Sequence, residues 1–149
     1  MKKLMPAFLV LVASVPALAE DITYSKHIRP VWEDQCERCH GASAPTYEVF
    51  LGDPKGFETD DKGPRMDGYE SLVFFVNGPK APGALMRKLD DGANTKDGQP
   101  GNMYRHLGRS EKRKANLELF KQWVGEGAWF VKKPEDITKE ELQRIKARN

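Results

Sequence analysis

The run Cys36-Glu37-Arg38-Cys39-His40 constrains this chain more than any other feature. Two thiols three positions apart can each add to one vinyl group of a single porphyrin, and a histidine directly after the second can place its imidazole under the ring. The spacing therefore predicts one covalently attached haem c, with Cys36 and Cys39 as attachment residues and His40 as the proximal iron ligand. Two other readings use the same residues. A dithiol redox pair or plain disulfide suits an exported chain with two cysteines, but the sequence shows no βαβ context of the thioredoxin kind. A structural zinc site on Cys36, Cys39 and His40 lacks a second spaced pair to complete it, and His27 and His106 stand far off in sequence.

The N-terminus reads as an export leader. Lys2 and Lys3 form a basic start, residues 4–15 are largely apolar, and Ala17-Leu18-Ala19 is a small-residue cleavage site that leaves Glu20 first in the mature chain. The apolar stretch is too short to span a membrane, and no other segment approaches the length needed. Residues 1–19 are thus expected to be a cleaved signal peptide, 20–131 a single domain, and 132–149 a charged C-terminal extension with a short helix. The expected compartment is the periplasm, which agrees with the motif, since haem attachment in bacteria is completed outside the cytoplasmic membrane.

Charge names no partner. The precursor's formal charge of +2 falls to 0 once Lys2 and Lys3 are removed. Residues 20–61 carry 10 acidic and 4 basic side chains and residues 62–149 carry 12 acidic and 18 basic, so the charge is unevenly spread. Arg105, Arg109, Lys112, Arg113 and Lys114 form either a solvated helix face or a patch that steers a redox partner. A balanced charge in an exported chain argues against nucleic acid.

Several helices are legible. Ile28, Val31, Trp32 and Cys36 share one face of a helix that begins near Ile28 or Arg29, because Pro30 is tolerated best in a first turn. Residues 42–66, with Gly52, Pro54, Gly56, Gly63 and Pro64, read as a long irregular connection. A helix over 69–76 should stop in a left-handed cap at Asn77-Gly78-Pro79. Another turn of helix falls near 83–89, and residues 90–101 form a loop. Ser110 is placed to cap a main C-terminal helix carrying Leu117, Phe120, Trp123 and Val124, ended by Gly125 and Gly127. Thr138 and Glu141 make a capping box, with Ile137 and Leu142 as a hydrophobic staple, for a surface helix over 139–147.

This order of elements, together with Cys36-Glu37-Arg38-Cys39-His40-Gly41 and the aromatic-rich ending Trp123-Val124-Gly125-Glu126-Gly127-Ala128, resembles the monohaem class I cytochrome c family over residues 22–130. The resemblance implies an all-α cytochrome c fold with long irregular loops, whose N- and C-terminal helices cross beside the haem. It also implies a His/Met-ligated iron. In the family the ligand methionine lies on a Pro-Gly loop shortly before the last helix, which Pro100-Gly101-Asn102-Met103 fits. Met103 is thus the expected distal ligand and Met86 the runner-up; Met66 and His106 are lesser candidates, and His27 is expected to be a titrating surface histidine. A proline carbonyl is expected to hold Nδ1 of His40, with Pro45 and Pro64 both open. Trp32, Phe120 and Trp123 are expected to pack on haem or on one another.

The implied function is electron carriage between a donor and an acceptor redox protein, by a monomer that forms transient complexes and has no enzymatic role of its own. Residues 94–104 are also similar to periplasmic monohaem cytochromes associated with multihaem iron-oxidation conduits. Two alternatives remain at this point. One is a haem subunit of a larger oxidoreductase, docked through 132–149. The other is a haem enzyme or gas sensor with a labile sixth ligand.

Overall fold

In the computed structural model, which describes residues 20–149, eight short α-helices surround one core and no strand forms among the described residues. The leader expected over residues 1–19 lies outside the described residues. Helix α1 (Arg29–Gln35) is entered through a wide turn, Tyr24–Ile28, in which the amide of Arg29 reaches back to the carbonyl of Tyr24. The wide turn suits Pro30: it has no N–H to place, and in a regular helix its ring would press on the carbonyl four residues back. A short α2 (Glu37–His40) follows after a break at Cys36.

Residues 42–66 correct the expected irregular connection, because two helices form there. Thr46 accepts from the amide of Val49 to start α3 (Tyr47–Gly52), and Asp53 accepts from the amide of Gly56 to start α4 (Pro54–Thr59). Pro54 occupies the first helical position, where a missing N–H costs nothing. Phe50 and Phe57 stack at 6.1 Å between the two helices, and Tyr47 meets Phe74 and Phe75 edge-on at 5.3 Å.

Helices α5 (Tyr69–Asn77) and α6 (Ala84–Leu89) pack on each other. The stop after α5 is extended (Gly78 φ −64°, ψ 150°) and not left-handed, because Pro79 forces the residue before it into extended backbone. Helix α7 (Ser110–Val124) packs against the N-terminal turn. Ser110 does not cap it: Arg109 stands at the capping position, and Ser110, the first residue of the helix, has a left-handed φ of 46°. The beginning of α7 is held instead by the buried amide of Asn116, which donates to the carbonyl of Leu107 at 2.7 Å.

The core joins Tyr24, Ile28 and Trp32 from the N-terminal segment, Leu72, Phe75 and Val76 from α5, Leu85, Met86 and Leu89 from α6, and Leu117, Phe120, Trp123 and Val124 from α7. Tyr24 lies 5.6 Å from Tyr69 and 6.3 Å from Trp123, ring centre to ring centre. Burying each large side chain contributes about 1.5–3 kcal/mol, so the meeting of these segments is the main source of stability.

The C-terminal segment is woven into that meeting point. The capping box of Thr138 and Glu141 forms as expected and starts α8, but the helix ends at Gln143 (Lys139–Gln143) and not near 147. It ends there because the amides of Lys146 and Ala147 turn to the carbonyls of Val124 and Trp123. The Arg148 carbonyl then accepts from the Tyr24 amide and the Trp123 indole, both at 2.7 Å, and the Ala147 carbonyl from the Tyr69 hydroxyl at 2.9 Å. Arg148 also pairs with Asp21. Each such hydrogen bond contributes about 1 kcal/mol net, and losing the acceptor leaves Trp123 Nε1 unpaired in a buried place. A chain ending at Ile145 is therefore expected to lose about 3–5 kcal/mol in guanidinium unfolding; a loss below about 1 kcal/mol would contradict the account.

The loop of residues 90–103 is organised by Asp90, which is fully buried. Burial pushes its carboxyl up, but hydrogen bonds from the Asn94 side chain, Trp129 and the amides of Asn94 and Gly92 outweigh that and hold it below the usual carboxylate range. An unfolded Asp titrates at about 3.9, so this contribution to stability is complete above about pH 5 and is lost as the pH falls through the lower folded value. The stability difference between wild type and Asp90→Asn should be constant above about pH 5 and shrink on acidification, as read from urea midpoints across pH.

Candidate haem site

The break between α1 and α2 places the two cysteines and His40 on a single turn of chain. Cys36 ends α1, with its amide bonded to the Trp32 carbonyl at 2.7 Å, and its own carbonyl accepts from the amides of Cys39 and His40 at 3.1 and 3.0 Å. Both thiols are free and half-buried. Burial, with a smaller push from Cys39, raises the Cys36 thiol to about 12. A thiol held protonated by burial is a poor dithiol nucleophile, which argues against the redox-pair reading of the motif. Among the described residues no group of three His, Cys, Asp or Glu side chains converges as a metal site.

His40 is fixed by a segment that passes under it. Its Nδ1 lies 2.8 Å from the Pro64 carbonyl and donates to it, which leaves Nε2 as the free ring nitrogen. Pro45, the other proline considered, has its carbonyl engaged by the Arg65 amide at 2.8 Å. Two more backbone bonds hold the segment in place: Gly63 N–H to the Cys39 carbonyl and Met66 N–H to the His40 carbonyl, both 2.9 Å. The approach is close enough that only glycine fits at 63; a Cβ there would stand 2.1 Å from Cε1 of the imidazole and 2.6 Å from Nδ1. Burial lowers the His40 pKa, the Pro64 carbonyl works against that, and the neighbouring His106 adds to the lowering. The ring is thus neutral at pH 7 and can present a lone pair at Nε2.

These features fit covalent haem attachment: two free thiols on one turn of chain, and an imidazole whose tautomer and orientation are set by a carbonyl behind it. Gly63 is a residue that sequence reasoning missed. The signal is the Gly63-Pro64 pair itself, whose helix-breaking character masks the close approach.

The remaining candidates are spread around this turn. Met103 is half-buried against the core, just before the short 3₁₀ turn Tyr104–His106, and its amide donates to the Lys88 carbonyl at 3.0 Å. Met86 is fully buried within the core cluster, as a packing residue would be. Met66 is tied to the turn that carries His40 through the His40 carbonyl. His27 accepts from the Thr23 amide at Nδ1 and so serves the N-terminal turn. Trp32, Phe120 and Trp123 pack within the helix meeting point, and the buried indole N–H of Trp32 has no hydrogen-bond partner.

A groove of about 550 Å3 opens beside Cys39, lined by Glu33, Arg38, Arg105, His106 and Arg109 among others. The basic patch read from the sequence is partly neutralised: Lys112 pairs with Asp34 at 2.6 Å, Lys114 with Glu111 at 3.1 Å, and Arg113 lies over the Tyr104 ring. Arg105 and Arg109 remain exposed at the groove.

Comparison with known proteins shows the family. The family model described as PccH Cytochrome c matches residues 23–149. A solved structure, monoheme cytochrome PccH from Geobacter sulfurreducens, is 47% identical with a TM-score of 0.78, over 87% of this chain and 100% of that chain. No curated protein matches the chain. The chain therefore belongs to the PccH cytochrome c family, all-α monohaem cytochromes with one covalently bound haem c and the role of electron carrier.

Proposed function

We propose that this protein carries single electrons between redox partners in the periplasm, with haem c held by Cys36 and Cys39 and its iron ligated by His40 and Met103. The observation that carries the reading is the bond from Nδ1 of His40 to the Pro64 carbonyl, which fixes the tautomer and leaves Nε2 free. When bound, the haem supplies a one-electron couple, raised in potential by a thioether ligand. His40 and Met103 would both hold the iron, which suits electron transfer without a place for substrate. Support for Met103 comes from its half-buried position on a loop anchored to the end of α6, whereas Met86 is consumed by the core and Met66 is held beside the proximal turn.

The export leader and the attachment motif support a periplasmic location, and no helix among the described residues is long and apolar enough to cross a membrane. Arg105 and Arg109, at the groove beside Cys39, are placed to steer an acidic redox partner into a small, quickly released interface. The observation that favoured a subunit of a larger oxidoreductase was an unused C-terminal tail, and residues 146–148 are instead bonded to Tyr24, Tyr69, Trp123 and Val124.

Expression with its leader and a haem-attachment system tests the proposal. A periplasmic product with one haem per chain that takes up no carbon monoxide when reduced is expected. Ready carbon monoxide uptake would contradict it and favour a gas-binding or enzymatic haem.

A further inference from the structure

The loop that carries Met103 is fastened by two devices. One is backbone: Gly101 N–H donates to the Asp90 carbonyl at 2.8 Å and Met103 N–H to the Lys88 carbonyl at 3.0 Å, so the loop lies directly along the end of α6. Gly101 permits this approach, since a Cβ there would stand 2.3 Å from the Lys88 carbonyl oxygen and 2.4 Å from that of Arg87. The other is the Asp90 carboxylate. One oxygen accepts from the amides of Gly92 and Asn94 at 2.9 and 3.2 Å; the other accepts from Asn94 Nδ2 and the Trp129 indole N–H, both at 2.8 Å. Trp129 follows α7, so this single buried side chain joins the loop, the end of α6 and the C-terminal segment.

We propose that Asp90 is a positioning residue for the distal ligand: by gathering Gly92, Asn94 and Trp129 it fixes the loop of residues 90–103 on α6 and so keeps the Met103 thioether on the iron. The inference rests on the His40/Met103 reading. A carboxylate is required, because all four partners are donors and only an acceptor on both oxygens satisfies them. An asparagine would turn its NH2 towards either the two backbone amides or the Asn94 and Trp129 donors. Removing a buried, charge-assisted acceptor leaves its partners unsatisfied, and a loop so loosened gives up its iron ligand more readily.

The test uses the haem-loaded full chain and titrates ferric protein with imidazole, following the weak long-wavelength sulfur-to-iron absorption band. Asp90→Asn should bind imidazole about tenfold more tightly, with a reduced band and an unchanged helical circular dichroism. Trp129→Phe, which removes one donor and keeps an aromatic ring, should shift the same way by about threefold. The double variant should shift by less than the product of the two single shifts, because both changes remove the same bond to the indole N–H. The chain ending at Ile145 serves as control: it should be less stable overall yet bind imidazole as wild type does.

Imidazole affinity within about twofold of wild type and an intact band in folded Asp90→Asn would overturn the proposal. Should Asp90→Asn fail to fold, the same result in Trp129→Phe would overturn it. A wild type without the band overturns the Met103 ligation on which the inference rests, whereas a wild-type band with unaffected variants overturns the role of Asp90 alone.

Discussion

The Gly63→Ala variant is expected to lose most of its correctly ligated holoprotein. The added methyl would lie 2.1 Å from Cε1, 2.6 Å from Nδ1 and 2.9 Å from Nε2 of His40, so either the imidazole or the backbone beneath it must move. The backbone is poorly able to retreat: Gly63, Arg65 and Met66 each donate an amide hydrogen to a carbonyl, of Cys39, Pro45 and His40 respectively. The ring therefore turns, breaks its bond to the Pro64 carbonyl and swings Nε2 away from its position. Overpacking of about 1–3 kcal/mol plus about 1 kcal/mol for the hydrogen bond gives a cost of about 2–4 kcal/mol. Spectra of the purified variant should show a large high-spin fraction, and its yield should fall about tenfold or more. A low-spin spectrum and unfolding midpoint equal to wild type would mean that the approach of residues 63–64 to His40 is looser than described.

Replacing both thiols, Cys36→Ser with Cys39→Ser, should abolish covalent haem entirely while leaving His40 in the chain. Intact mass would then equal that of the bare mature polypeptide, and acid extraction would remove any haem that remained by ligation alone. The effect should reach the fold. Apolar residues make up 39% of the sequence, many of them in short helices of four to nine residues that have little stability by themselves. A haem packed against them in the native state would add a large apolar surface to that core, and its thioether links would keep it there. The double variant should accordingly unfold with a much lower midpoint and a broader transition than the holoprotein. Covalent haem surviving in it would contradict attachment at these cysteines.

The sequence disclosed those features whose physics is local. The five residues from Cys36 to His40 are legible as a haem-attachment candidate by spacing alone; the apolar repeat of α7 and the reciprocal cap of Thr138 and Glu141 depend on neighbours three or four positions away. Local signals misled where one residue serves two purposes. Pro54 and Gly56 looked like breakers of helix, yet proline is favoured in a first turn and Asp53 caps the Gly56 amide, so α4 forms through them. Ser110 looked like a cap, but Asn116 and the Leu107 carbonyl, nine residues apart, secure that end instead.

The rest was written in tertiary contacts that no window of sequence contains. Whether Pro45 or Pro64 stands behind His40 depends on how a segment more than twenty residues downstream crosses under the imidazole, and the demand for glycine at 63 follows from the same crossing. The Asp90 cluster brings Trp129 to a carboxylate thirty-nine positions away. The C-terminal residues, expected as a charged extension with a short helix, close over Tyr24 and Trp123 because the Ala147 and Arg148 carbonyls satisfy donors that would otherwise be buried alone. The same backbone bonds also shorten α8, which its sequence alone would have carried further.

The most direct test of ligation by His40 and Met103 is the optical spectrum of the ferric, haem-loaded mature protein beside that of Met103→Ala. A weak long-wavelength sulfur-to-iron band in the wild type that vanishes in Met103→Ala is the predicted result. A wild type without the band, or a band that persists in Met103→Ala, would contradict the distal assignment and place another group on the iron.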